Sequence, residues 1–156
     1  MLKYYNYDIV FQEIPDEVTL AVNITNCPNR CKGCHSPHLQ DDIGEELSEA
    51  RIITLMEQYA QAITCFCFMG GDADPLEANR LARFIRVRYP ELKTAWYSGS
   101  AKLPDGFDVR SFHYIKLGSY LEKLGSLKSE ITNQQLFQIQ RDGGMKDISW
   151  LFKLKP

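Results

Sequence analysis

An α/β fold built on a parallel sheet with crossover helices is predicted from three features of the sequence. Strand-like and helix-like stretches alternate along the chain. The most apolar run, Thr64-Cys65-Phe66-Cys67-Phe68-Met69, has little polar relief, as a strand buried on both faces requires. A second strand pattern, Val18 to Ile24, runs directly into a loop that holds three of the five cysteines. In sheets of this kind ligands gather at the carboxyl ends of the strands, so the turns that follow strands are the places to look for chemistry.

Taken in order, Tyr7 to Ile14 and Val18 to Ile24 are β-branched, aromatic or alternating, with Pro15-Asp16 as the turn between two strands. After the cysteine loop, Ser48 is placed to cap a helix whose apolar positions Ile52, Leu55, Met56, Tyr59 and Ile63 follow helical spacing. The buried strand Thr64 to Met69 ends at Gly70-Gly71-Asp72. Asp74-Pro75 then opens a second helix with Ala78, Leu81, Ala82, Ile85 and Tyr89 on one stripe, and Pro90 stops it. Thr94 to Ser98 and His113 to Leu117 are the next strands. Gly118 to Lys128 is a loop, Thr132 to Gln140 a short helix or strand, Asp142-Gly143-Gly144 a turn, and Ile148 to Phe152 a final edge strand.

Composition narrows the function classes. The chain has 156 residues, 44% hydrophobic and 24% charged, which suits a single domain spanning 1–156. A formal net charge of -2 leaves no basic excess for phosphate backbones, so no nucleic-acid partner is expected. No apolar run reaches the ~18 residues of a membrane span, and Met1 to Asn6 lacks the apolar core of a secretion signal. The expected location is cytoplasmic, without membrane attachment. There, five cysteines are kept as thiols, and metal binding is favoured over a disulfide framework.

The loop Cys27-Pro28-Asn29-Arg30-Cys31-Lys32-Gly33-Cys34-His35 spaces its thiols Cys-x3-Cys-x2-Cys. Three thiolates on one short loop converge on a common centre more readily than they pair with each other. They are one ligand short of closing a four-iron, four-sulfur cube, which leaves one iron open for a substrate or cofactor. Three other readings compete. One is a structural zinc completed by His35, His38, Cys65 or Cys67, although zinc ligands more often come as two separated pairs. Another is c-type haem at Cys31-Lys32-Gly33-Cys34-His35, which leaves Cys27 without a role. The last is a redox dithiol, for which the third cysteine is superfluous.

Gly70-Gly71-Asp72 suits a ligand that approaches the main chain, because glycine admits positive φ and presents no side chain. Asp72 adds a carboxylate able to hold an ammonium group through a charge-assisted hydrogen bond. An ordinary tight turn before a helix has the same residue types. Cys65 and Cys67 share one face of a strand at period two and read as small apolar core residues. His38, Tyr59 and the acids Asp41, Asp42, Glu45 and Glu46 read as solvated loop or helix-start residues.

The string Asn26-Cys27-Pro28-Asn29-Arg30-Cys31-Lys32-Gly33-Cys34-His35-Ser36-Pro37, following a strand, resembles the radical S-adenosylmethionine (SAM) enzymes. Within them it is similar to the anaerobic ribonucleoside-triphosphate reductase activating proteins, which are of similar length. The resemblance implies a [4Fe-4S] cluster on Cys27, Cys31 and Cys34, with S-adenosyl-L-methionine at the open iron. SAM contacts would come from Gly33, Cys34 and His35 of the loop and from Gly70, Gly71 and Asp72. Asp72 stands where the superfamily usually has Glu, and Ala73-Asp74 is a small insertion before Pro75-Leu76. Tyr97-Ser98-Gly99-Ser100 stands where the activating proteins show Tyr-Thr-Gly-Tyr, and Asn133-Gln134 resembles a C-terminal Asn-Gln element.

By the same resemblance, a 5′-deoxyadenosyl radical takes hydrogen from a glycine of the anaerobic reductase large chain, with the electron supplied by a low-potential donor such as flavodoxin. The cofactors carry the hard chemistry, and no catalytic side chain is assigned. The fold implied is a radical SAM-like partial (open) α/β barrel with parallel strands. A full barrel takes about 250 residues, so the inner face of this shorter sheet is expected to lie exposed, to be covered by a protein partner.

Overall fold

The computed structural model describes residues 1–31, 34 and 36–153. Strand β1, Lys3–Val10, pairs antiparallel with β2, Thr19–Ile24, placing Tyr7 opposite Val22 and Val10 opposite Thr19. The first strand therefore starts and stops earlier than the predicted Tyr7 to Ile14. Beyond Val10 the chain leaves the ladder, and residues 11–18 turn through Asp16, whose φ is 64°. Within it Ile14 is fully buried without pairing in the sheet, whereas Phe11 is exposed.

A two-residue strand β3, Glu45–Glu46, edges the sheet beside β1. Helix α1, Glu49–Tyr59, begins as predicted at Ser48, whose Oγ accepts the Arg51 N–H at 3.1 Å. Strand β4 is Cys65–Met69, and helix α2 is Pro75–Arg88. Asp74 precedes α2 but does not cap it. Its carboxylate instead accepts from the Met1 ammonium at 2.9 Å. Strands β5, Lys93–Tyr97, and β6, Tyr114–Leu117, follow. The Thr132 to Gln140 stretch resolves as strand β7, Gln135–Ile139, which turns through Asp142-Gly143-Gly144 into β8, Met145–Asp147. The predicted final strand from Ile148 to Phe152 is instead a 3-10 turn, Ser149–Lys153. Ile148 and Phe152 are buried and Trp150 is exposed, a pattern that short runs of strand and helix share.

The eight strands form one mixed sheet in the order β3-β1-β2-β4-β5-β6-β7-β8. Only its centre, β2, β4, β5 and β6, is parallel, and both flanks are antiparallel. The fold is thus an open α/β sheet, partly parallel, with two α-helices among the described residues. The expected parallel strands are found at the centre of the sheet, while the segments toward either end of the chain pair antiparallel, which needs no crossover helix.

Alternation along the central strands divides the core in two. Leu20, Val22, Ile24, Phe66, Phe68, Trp96 and Ile115 pack with Ile52, Leu55, Leu81 and Ile85 of the helices. On the opposite face, Cys65, Cys67, Ala95 and Tyr114 meet Ile14, Leu127, Leu136, Ile148 and Phe152. This is the face expected to lie bare. It is covered, because residues 11–18 and the segments after β6 and β8 fold back over it.

The cover is fastened by Glu17, 6% exposed, whose carboxylate accepts from Thr64 Oγ1 at 2.7 Å, Lys93 Nζ at 2.7 Å and the Tyr114 hydroxyl at 2.8 Å. The Tyr97 hydroxyl donates to the Glu13 carbonyl as well. Glu17→Ala leaves the buried Tyr114 hydroxyl without this acceptor. With the half-exposed lysine discounted for solvent screening, the expected loss of stability is about 2 kcal/mol. A lower urea midpoint with an unchanged slope checks this, and an unchanged midpoint refutes it. No described helix is long and apolar enough to cross a membrane.

Candidate functional site at the carboxyl edge of the parallel strands

The turns leaving β2, β4, β5 and β6 share one edge of the sheet. The β2 turn opens at Asn26, which takes a positive φ of 61°, and Arg30 takes one of 45°. The loop is tied down where the Asn26 N–H reaches the Asp41 carbonyl at 3.2 Å and the Cys27 N–H reaches the Leu39 carbonyl at 2.9 Å. Cys27, Cys31 and Cys34 are free and partly exposed. The Cys34 N–H donates to the Cys31 carbonyl at 3.2 Å, drawing those two residues into one turn. Gly33 and His35 lie outside the described residues.

The β4 turn behaves as its glycines require. Gly70 has φ 114° and Gly71 φ 107°, conformations that side chains with Cβ rarely adopt. Trp96 Nε1 donates to the Gly70 carbonyl at 2.8 Å, and the Gly70 N–H donates to the Tyr97 carbonyl at 3.0 Å, so the turn is held from β5. Asp72 then meets both neighbouring turns. Its Oδ2 accepts from Asn29 Nδ2 at 2.5 Å and from the Gly99 N–H at 2.8 Å, and its Oδ1 accepts from Ser98 Oγ at 2.5 Å. Asn29 Nδ2 also stands 3.7 Å from Cys27 Sγ. One carboxylate therefore joins the cysteine loop, the Gly-Gly-Asp turn and the Ser98-Gly99 turn.

Three contributors have no individual role that the sequence alone assigns. Asn29 sits between the cysteines and is polar in a loop, which is unremarkable until its partner is known. A Cβ at Gly99 would lie 2.5 Å from Asn29 Nδ2 and displace that amide from Asp72. Lys116 had a visible signal, since it is the only charge in the run Tyr114-Ile115-Lys116-Leu117. It is 8% exposed and donates to the Ser98 carbonyl at 3.1 Å and the Gly118 carbonyl at 2.8 Å. Burial pushes its pKa down to about 8, opposed by the negative charges of Asp72, Cys31 and Cys27. Asn133-Gln134 reaches the same edge, with Asn133 Nδ2 donating to the Ser119 carbonyl at 3.1 Å.

The other residues weighed from sequence stand elsewhere. Cys65 and Cys67 are fully buried in the covered face. Burial pushes the Cys65 thiol up to about 12 and Cys67 well above the ordinary thiol range, so both are packing groups. His38 is exposed and sits edge-on to Tyr5 at 5.1 Å, and Tyr59 meets Tyr7 at 3.4 Å between hydroxyls. Asp42 binds Lys3 and Asn26 at 2.8 and 3.1 Å.

Among the described residues, no three His, Cys, Asp or Glu side chains already stand close enough together to hold a metal ion. The donor set nonetheless fits a soft metal or an iron–sulfur cluster: three free, accessible thiols on one loop, beside a buried ammonium that offsets negative charge. Cys65 and Cys67 are buried within the covered face and are unsuited to serve as a fourth ligand. No family model, curated protein or solved structure matches the chain.

Proposed function

We propose that this protein is a radical SAM activating enzyme that generates a glycyl radical on the anaerobic ribonucleoside-triphosphate reductase. The observation that carries the reading is the bond from Asn29 to Asp72, which couples a three-cysteine loop to a glycine-lined acidic turn at the carboxyl edge of parallel strands. Cys27, Cys31 and Cys34 would hold a [4Fe-4S] cluster through three of its irons. Such a cluster, when bound, supplies one electron to a sulfonium. The remaining work belongs to the chain.

Gly70 and Gly71 let a small zwitterion lie against the backbone. Asp72 carries the charge for its ammonium: Oδ1 accepts a single bond, from Ser98, and keeps acceptor capacity on that oxygen. Lys116 spends two of its three donors on carbonyls, lies 5.7 Å over the Tyr97 ring, and contributes a buried positive charge beside Asp72. By the resemblance, Gly33, Cys34 and His35 would supply the loop side of the same contact. The fold assigned to this reading is a partial, open α/β barrel.

A second protein as hydrogen donor suits this edge. The cysteines are partly exposed, so a glycine loop of the reductase large chain can reach them. A low-potential donor such as flavodoxin would supply the electron. Mixing reconstituted protein, SAM, a reductant and the large chain is expected to give a glycyl doublet in electron paramagnetic resonance that depends on SAM and on Cys31. Efficient turnover of a small metabolite by the protein alone, with no doublet, refutes the reading. A doublet on a formate lyase-like enzyme alone would move the partner assignment within the same class. Zinc without acid-labile sulfide in anaerobically purified protein would favour a structural zinc module.

A further inference from the structure

The opposite edge of the sheet carries a feature that the cysteine site does not use. A cavity of about 520 Å³ is lined by Arg86 of α2, Arg110 and His113 before β6, and Gln140 and Arg141 after β7, with Phe112 beneath. Its charge is unusual for this chain, which is acidic overall at -2. Along α2 the arginines recur every three residues, and the first two take carboxylates. Arg80 pairs with Glu77 at 2.6 Å and Glu49 at 2.5 Å, and Arg83 pairs with Asp108 at 2.8 Å.

Arg86, the third, donates among the described residues only to the Arg110 carbonyl. Arg110 in turn donates to the Asp142 carbonyl at 3.0 Å. Arg141 has no partner among the described residues. The neighbouring Asp142 makes no ion pair with these arginines among the described residues and does not line the cavity; its Oδ1 accepts the Gly144 N–H at 2.8 Å.

The rest of the lining is also donor-rich. His113 Nδ1 accepts the Thr94 N–H at 3.0 Å, so the neutral ring carries its proton on Nε2. Burial, and then the charge of Arg86, push its pKa down to about 4, which keeps the ring neutral at pH 7 and spares the cavity a fourth cation. Three guanidiniums without a carboxylate repel one another and are stabilised by an anion between them. Their planar forks match the paired oxygens of a phosphoryl group better than a point charge does. The volume is that of a small-molecule site and exceeds what one phosphate fills, leaving room for the group that carries it.

We propose that this cavity binds the phosphoryl group of a small molecule, with Arg86, Arg110 and Arg141 as its ligands. The site is separate from the cysteine edge and does not depend on what that edge binds. Titration calorimetry of the full chain at low ionic strength, with pyrophosphate as probe, is expected to show saturable binding at one site. Arg141→Ala and Arg86→Ala should each weaken it by about tenfold, the loss of one charged hydrogen bond. Arg83→Ala, whose side chain is already paired with Asp108, should leave it unchanged.

Arg141 is exposed and unbonded, so its variant carries the test even if Arg86→Ala fails to fold. Binding of inorganic phosphate as tight as that of pyrophosphate marks a free phosphate as the natural source, and tighter binding of ATP marks a nucleotide. No saturable heat with any of the three overturns the proposal. So does equal weakening by Arg83→Ala, or equally tight binding of a tri-glutamate peptide.

Discussion

Alanine at any one of Cys27, Cys31 or Cys34 is expected to abolish iron retention in protein purified and reconstituted without oxygen. A cluster held by three protein thiolates has no spare ligand, so removing one leaves two irons without protein ligands. The wild-type protein should be brown, with a broad charge-transfer absorption that dithionite bleaches, and each of the three variants colourless. Cys65→Ala is the control. Its thiol is fully buried on the covered face and held protonated, so its loss costs packing and not ligation. Iron and sulfide analysis beside the visible spectrum decides the matter, and a Cys65 variant as pale as the Cys31 variant overturns the ligand assignment.

The second large effect is expected at Asp72. Asp72→Ala should weaken SAM binding by about 1.5–3 kcal/mol, the range for a hydrogen bond to a charged group, or at least roughly tenfold in affinity. The same change leaves Asn29 Nδ2, Ser98 Oγ and the Gly99 N–H without their acceptor, so the three turns lose their common tie. Iron content should hold, because the three thiols are untouched. Asp72→Asn separates the two contributions: it restores an acceptor for the turns but not the charge, and should recover only part of the affinity. Calorimetric titration of reconstituted protein with SAM measures both, and an unchanged affinity in the alanine variant removes Asp72 from the site.

What could be foreseen from the chain follows from how far apart its causes lie. Helix α1 announces itself locally, with a serine cap and apolar residues at helical spacing, and β4 is apolar on both faces because both faces are buried. The cysteine loop and Gly70-Gly71-Asp72 were placed on a common edge by the rule that strands alternating with helices run parallel. Asn29 and Asp72, by contrast, are 43 residues apart, and Glu17 and Tyr114 are 97 apart, so no local pattern joins them. The stretch from Phe11 to Ile14 reads as strand because a segment laid across a sheet buries a side chain such as Ile14 much as a strand does. The turn at Ser149–Lys153 deceived in the same way, since its burial comes from docking onto the covered face. Reading length alone gave a bare inner face, because the chain's capacity to fold back on its own sheet has no signature in a residue count.

The distribution of buried side chains fixes an order of assembly. From Asn26 through Glu46 none of the described residues is buried, whereas both layers of the core are complete without them. The described residues of the segment that carries the thiols lie at the surface between β2 and α1, outside both core layers. A zinc finger collapses around its ion and is unfolded without it. On the proposed reading metal would arrive last, at an already folded protein, so removing iron is expected to leave the sheet and helices in place and the site open to refilling without refolding.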